Sequence, residues 1–120
     1  MTDRELLDRP EDGMKILHLT LKKQWFDMIA SGVKKEEYRE LKPYWHKRLA
    51  NKQYDAISFR NGCSKGARQI LVELKEVCLS FGIVEWGAPE ETPVYILRLG
   101  KIVSQQTLHN LNHTNKDSEQ

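Results

Sequence analysis

The residues with chemistry to offer crowd into one stretch, Ser31 to Glu40, SGVKKEEYRE. Within it Gly32, Lys34, Glu37 and Arg39 spell G-x-K-x-x-E-x-R. An ammonium and a guanidinium at that spacing suit a phosphate or the acceptor edge of a base, and a carboxylate between them orients both or takes a proton. In a strand, residues two apart share a face, so Glu37 and Arg39 point the same way while Lys34 sits in the preceding turn. The same pattern also describes a solvated ion-pair cluster, worth about 0–1 kcal/mol per exposed pair. Spacing leaves both readings open. Lys35, Glu36 and Glu40 are assigned to solvent.

Other candidates lie further along. Glu73 interrupts the apolar run ILVEL and shares a face with Leu71, so it needs a partner or a shifted pKa. It is either a carboxylate at a barrel mouth near Lys34 and Arg39 or an outward residue on a half-exposed strand. The loop NGCSKGAR, residues 61–68, has two glycines plus Lys65 and Arg68. Its backbone N–H groups suit an anion, and a flexible basic hairpin loop fits equally well. It lacks the Walker A pattern. Among the aromatics, Tyr44 is the candidate to stack on a base, Trp45 is assigned to the core, and Trp86, in a loop with Gly and Pro, is a candidate cleft wall. His18 and His46 have no nucleophile partner that the pattern supports, and His109 and His113 are read as incidental, so no metal site is assigned.

These groups need elements to position them. In KILHLTL, Leu17, Leu19 and Leu21 alternate with Ile16, His18 and Thr20, which predicts a strand with one buried face. Trp25, Met28 and Ile29, and likewise Phe26, Ile29 and Val33, recur at helical spacing and predict a helix over 22–31 that ends at Gly32 as its C′ residue. EEYREL reads as a strand. KPYWHKRLAN reads as a second helix, with Pro43 near its start and Leu41, Trp45 and Leu49 forming its stripe. AISFR, the long run QILVELKEVCLSF and VYILRLGKIV are β segments, the second long enough to bend or carry a bulge. The expected class is α+β, a small β-barrel with two helices packed outside.

Bulk properties narrow the field. The 120-residue chain is sized for one domain, and 39% hydrophobic with 30% charged is an ordinary globular balance. No apolar run approaches a membrane span, and the first residues have no signal-peptide core. Cys63 and Cys78 form no framework and are read as free thiols in a reducing cytoplasm. Residues 1–13 are expected to be a mobile extension, 14–103 the domain, and 104–120 a disordered tail. The overall charge is +2, yet residues 34–68 hold ten bases against four acids. That concentration favours an anionic partner, nucleic acid first, although a modest basic excess also serves solubility alone.

The order of these pieces resembles the ASCH domain, a relative of the PUA domain, over residues 14–103. The resemblance is carried by KILHLTL, Trp25-Phe26, SGVKKEEYR, KPYWHKRL, VELKEV and YILRLGKI. It implies a PUA-like β-barrel and a cleft beside the G-x-K-x-x-E-x-R segment that binds RNA or a modified nucleoside or nucleotide. Lys34, Glu37 and Arg39 are carried over as cleft residues and Gly32 as the hinge of the turn. Some ASCH proteins deacetylate N4-acetylcytidine, using the motif lysine, a threonine three residues later as nucleophile, and a glutamate on a later strand. Lys34 matches the lysine and Glu73 the later glutamate, but position 37 is Glu. A carboxylate serves as a base toward water and does not replace a hydroxyl nucleophile.

Three functions follow. The first is an RNA- or nucleotide-binding domain in which Lys34, Arg39, Lys65 and Arg68 meet phosphate or base edges. The second is a nucleoside amidohydrolase using Lys34 and Glu73. The third is a protein-interaction domain whose charges are a solvated face. No metal or organic cofactor is implied, and the chain is expected to be cytoplasmic and monomeric.

Overall fold

The computed structural model describes residues 13–107. Its elements are β1 (Ile16–Leu21), α1 (Lys23–Ala30), β2 (Glu36–Arg39), α2 (Pro43–Leu49), β3 (Ala56–Asn61), β4 (Arg68–Phe81) and β5 (Pro93–Thr107), with a 3₁₀ turn at Val84–Trp86. One mixed sheet holds all five strands in the order β1-β3-β4-β5-β2. β1 runs parallel to β3 and every other neighbour is antiparallel.

Alternation decides the first strand. Leu17, Leu19 and Leu21 are buried while His18 and Thr20 face water. The long pair β4–β5 forms the spine, and β4 shifts register at Leu71/Val72, Val72/Leu74 and Leu74/Glu76. Such irregularities bend and twist a strand, and they curl the sheet. The result is a half-barrel with β1 and β2 at its two edges, a small barrel-like α+β fold of the class expected. Ile57, Phe59, Ile70, Val72 and Leu97 fill its concave side together with Phe26 and Ile29 of α1 and Leu49 of α2. A smaller cluster of Tyr38, Ala88, Val94 and Ile96 packs separately.

Both helices are shorter than their sequence patterns. α1 ends in a Schellman motif: the Gly32 N–H donates to Ile29 O and the Val33 N–H to Met28 O, both at 3.0 Å. Gly32 takes φ +87°, the left-handed region. That reversal carries Val33 off the buried face, leaving it 56% exposed. Pro43 opens α2, so Leu41 lies outside the helix and is exposed; only Leu49 is fully buried, with Trp45 packed beside the core. At the other end β5 continues to Thr107, where it faces Arg68, past the boundary expected at residue 103. The expected N-terminal extension, most of the expected tail, and His109 and His113 lie outside the described residues. Among the described residues no helix is long and apolar enough to cross a membrane.

A β-carbon on Gly32 would meet nothing within 4 Å, so its contribution is purely conformational. Gly32→Ala is therefore expected to lower unfolding free energy by about 1–2 kcal/mol, and Gly32→Asn by less. Urea unfolding of the two variants checks this; equal midpoints for Gly32→Ala and wild type would refute it.

Candidate functional site

Three chain segments meet where α1 gives way to β2. The Schellman turn delivers Lys34 inward, its amide bonded to Met28 O at 3.0 Å. β2 then supplies Glu37 and Arg39 from one face, and pairs with β5 through Glu37↔Leu97 and Arg39↔Tyr95. The turn after β4 supplies Trp86.

Lys34 is buried, with its side chain wholly out of water. Its Nζ lies 3.3 Å from Glu37 Oε1 and donates to the backbone carbonyl of Trp86. Two rings flank it, Tyr38 at 4.6 Å and Trp25 at 5.2 Å to the centroids. Desolvation disfavours the charged amine and lowers its pKa; Glu37 opposes this through its charge and its hydrogen bond. Glu37 is buried too, and its second oxygen accepts from Arg39 Nη1. One carboxylate thus answers two cations. Arg39 keeps partial access to solvent and lies 5.1 Å from the Trp45 ring.

The wall opposite is held by Tyr38. Its hydroxyl accepts from the Ile83 N–H at 3.0 Å and donates to Glu36 Oε1 at 2.9 Å, tying the 83–88 segment to β2. Burial pushes the Tyr38 phenol up, while the Ile83 bond pulls the other way. Gly87 follows Trp86 at φ +106°, and a β-carbon there would come within 3.1 Å of the Trp25 ring. Only a glycine lets the turn close on Trp25. Between these parts lies a cleft of about 230 Å³ lined by Leu21, Lys22, Trp25, Glu37, Tyr38, Arg39, Trp86 and Gly87.

The sequence-derived candidates divide accordingly. Lys34, Glu37, Arg39 and Trp86 converge, with Gly32 at the turn that positions them. Glu73 does not join them. It is half-buried, accepts from the Lys101 N–H at 3.3 Å, and borders a separate groove of about 630 Å³ between β4 and the segment 49–55. That groove is the larger, but its Asp55, Glu73, Lys75 and Glu76 form no ion pair with one another among the described residues, whereas the cleft holds a buried charged cluster. Lys65 and Arg68 are exposed; Arg68 donates to the Gln105 amide and neither lines the cleft. Tyr44 stands exposed on α2, outside the cleft lining. His46 meets the Tyr95 hydroxyl at 2.6 Å.

Lys22, Trp25, Tyr38 and Gly87 line the cleft and were not assigned to a site from sequence. Trp25 and Tyr38 look like core by their spacing, and Lys22 is one base among many. The available signal was Lys34 itself: a lysine turned inward needs aromatic and acceptor neighbours, and Tyr38 and the Trp25-Phe26 pair are the aromatics nearest to it in sequence. Glu36 also departs from its assignment to solvent, since it is half-buried and holds the Tyr38 hydroxyl. Among the described residues no cluster of three or more His, Cys, Asp or Glu is placed to hold a metal. No family model, curated protein or solved structure matches the chain, so the ASCH resemblance rests on the sequence pattern alone.

Removing Glu37 would strand a buried ammonium. Glu37→Ala is expected to lose about 3–5 kcal/mol of unfolding free energy, and Glu37→Ala combined with Lys34→Met to recover much of it. pH adds a second signature. The folded-state pKa of Lys34 lies below its ordinary 10.5. Between the two values the unfolded chain binds the extra proton, so stability rises with pH across that window. Tyr38, raised in the fold, works in the opposite sense above 10.0, so the measurement is the difference between wild type and Lys34→Met in urea unfolding at alkaline pH. A difference that stays flat would refute a desolvated amine.

Proposed function

We propose that the chain is an RNA- or nucleotide-binding domain of ASCH type, with a PUA-like fold, whose ligand enters the cleft beside the G-x-K-x-x-E-x-R segment. The observation that carries this reading is the imbalance of the cleft. Glu37 is its one carboxylate and is already engaged by Lys34 and Arg39. Arg39 and the exposed Lys22 are left to meet an anion, with Trp25, Trp86 and Tyr38 as flat apolar walls. A planar ring joined to a phosphate is the ligand class that satisfies cations and aromatic walls together. The cleft lies below the 300–1,000 Å³ typical of drug-sized ligands, which suits a single nucleotide unit.

Lys34 and Glu37 then act as framework. They hold each other and the Trp86 carbonyl, and so fix where the Arg39 guanidinium stands. The hydrolytic alternative gains nothing from this geometry, because Glu73 borders the other groove.

Fluorescence anisotropy with labelled short RNA tests the reading. Affinity is expected to fall linearly with salt on a double-logarithmic plot, and Arg39→Ala or Lys22→Ala to flatten that slope and weaken binding about tenfold. Absence of salt-dependent binding, or an Arg39→Ala variant that is folded and binds like wild type, would refute it.

A further inference from the structure

We infer that the outer face of α2 is a track for single-stranded nucleic acid, carrying the nucleotides that flank the one seated in the cleft. The inference rests on the nucleotide-binding reading above and extends it from a unit to a strand.

The first observation is a continuous stack leading out of the cleft. Arg39 lies 5.1 Å from the Trp45 ring. Trp45 meets Tyr44 edge to face, centroids 4.8 Å apart at 85°. Tyr44 in turn carries the Arg48 guanidinium 3.7 Å from its centroid. Four side chains, cation, aromatic, aromatic and cation, thus run from a cleft-lining residue to the surface of α2. Arg48 is fixed further by donating to Tyr44 O at 3.4 Å. Tyr44 is 55% exposed, a ring braced on one side and open to a stacking partner.

The second observation is charge, to which Lys47 and Lys52 contribute from outside the stack. Residues 41–54 include Lys42, Lys47, Arg48 and Lys52 and not one Asp or Glu. Lys42 is answered by Glu40 at 3.1 Å. Lys47, Arg48 and Lys52 have no carboxylate partner among the described residues. Unpaired cations beside a braced, exposed aromatic are the combination by which proteins hold single strands: the cations follow the phosphates and the ring takes a base. A duplex keeps its base faces stacked inside and offers Tyr44 nothing. The seven residues of α2 span about 10 Å, the rise of about three stacked nucleotides.

The test compares a labelled mononucleotide, a single-stranded tetranucleotide and a duplex, each as RNA and as DNA, by anisotropy at low salt. Wild type is expected to bind the tetranucleotide at least about tenfold more tightly than the mononucleotide and more tightly than the duplex. In Tyr44→Ala, Arg48→Glu and their combination that advantage should shrink at least about fivefold. Both substituted side chains are exposed, so circular dichroism is expected to match wild type. Preference for the RNA or the DNA strand names the sugar and supports the track either way. Equal affinity for mononucleotide and tetranucleotide, an equally good duplex, or an advantage that survives Tyr44→Ala and Arg48→Glu would overturn it; the first is also what a protein-binding role for α2 gives. Loss of mononucleotide binding in Arg39→Ala tests the cleft separately, so the cleft reading and the track fail on different measurements.

Discussion

An ammonium held out of water must be answered on every side, and at Lys34 the answers come from three parts of the chain. β2 gives the Glu37 carboxylate and the Tyr38 ring, α1 gives the Trp25 ring, and the 3₁₀ turn gives the Trp86 carbonyl. Burying such a pair is not a net source of stability, because desolvation offsets most of the Coulomb gain. Its effect is on geometry. Any arrangement that moved β2 or the 84–86 turn away would leave a charge unanswered, and that outcome is far more expensive than the arrangement is favourable. The local details serve the same requirement: the Schellman turn aims Lys34 inward, Gly87 lets the turn approach Trp25, and the Tyr38 hydroxyl holds the Ile83 amide.

Glu37 carries this constraint onward to the surface. A carboxylate has two oxygens, and each is committed to a different cation: one to Lys34 inside, the other to Arg39 at the rim. Arg39 is thereby held by a buried neighbour while its own side chain keeps access to solvent, and Trp45 lies near it on the side of α2. A guanidinium placed this way loses little conformational freedom when it meets an anion, which favours recognition over loose electrostatic attraction. Glu37 is shared between two cations, and the exposed Lys22 adds a further cation to the cleft lining.

How much of this could be read in the sequence follows from what each signal measures. Leu17, Leu19 and Leu21 were legible as a buried strand face because period-two alternation reports one face against one core. Gly32 was legible as a helix stop because left-handed backbone at a C′ position has few residues to choose from. The common face of Glu37 and Arg39 followed from the pleat. Val33 and Leu41 were assigned to buried stripes from spacing that ran past the true helix ends, which the Gly32 cap and Pro43 set. Glu73 could not be placed, since its surroundings depend on which strands neighbour β4 and on register shifts at positions 71–76 that no local pattern encodes. The open edge between β1 and β2 was hidden for the same reason: closure is a property of sheet order, not of any strand's own residues.

The distribution of exposure sorts the basic residues by task. Lys34 has its charge answered by Glu37 and the Trp86 carbonyl, so little of it reaches the surface. Lys65 and Arg68, although part of the basic central segment, point elsewhere, and Arg68 is engaged by Gln105. The cations that stay accessible are Lys22 and Arg39 in the cleft, followed along α2 by Lys47 and Arg48 with the braced Tyr44 ring. The excess positive charge of residues 34–68, read along the chain, is one undivided quantity. In the fold it separates into a buried share that fixes the shape of the cleft and an exposed share that stays open to solvent, and the Glu37 carboxylate is the boundary between them. The same boundary bears on chemistry. A lysine held between a backbone carbonyl and a carboxylate shared with an arginine is built to stay where it is, and the side chains with freedom to exchange partners are those on the outer side of Glu37.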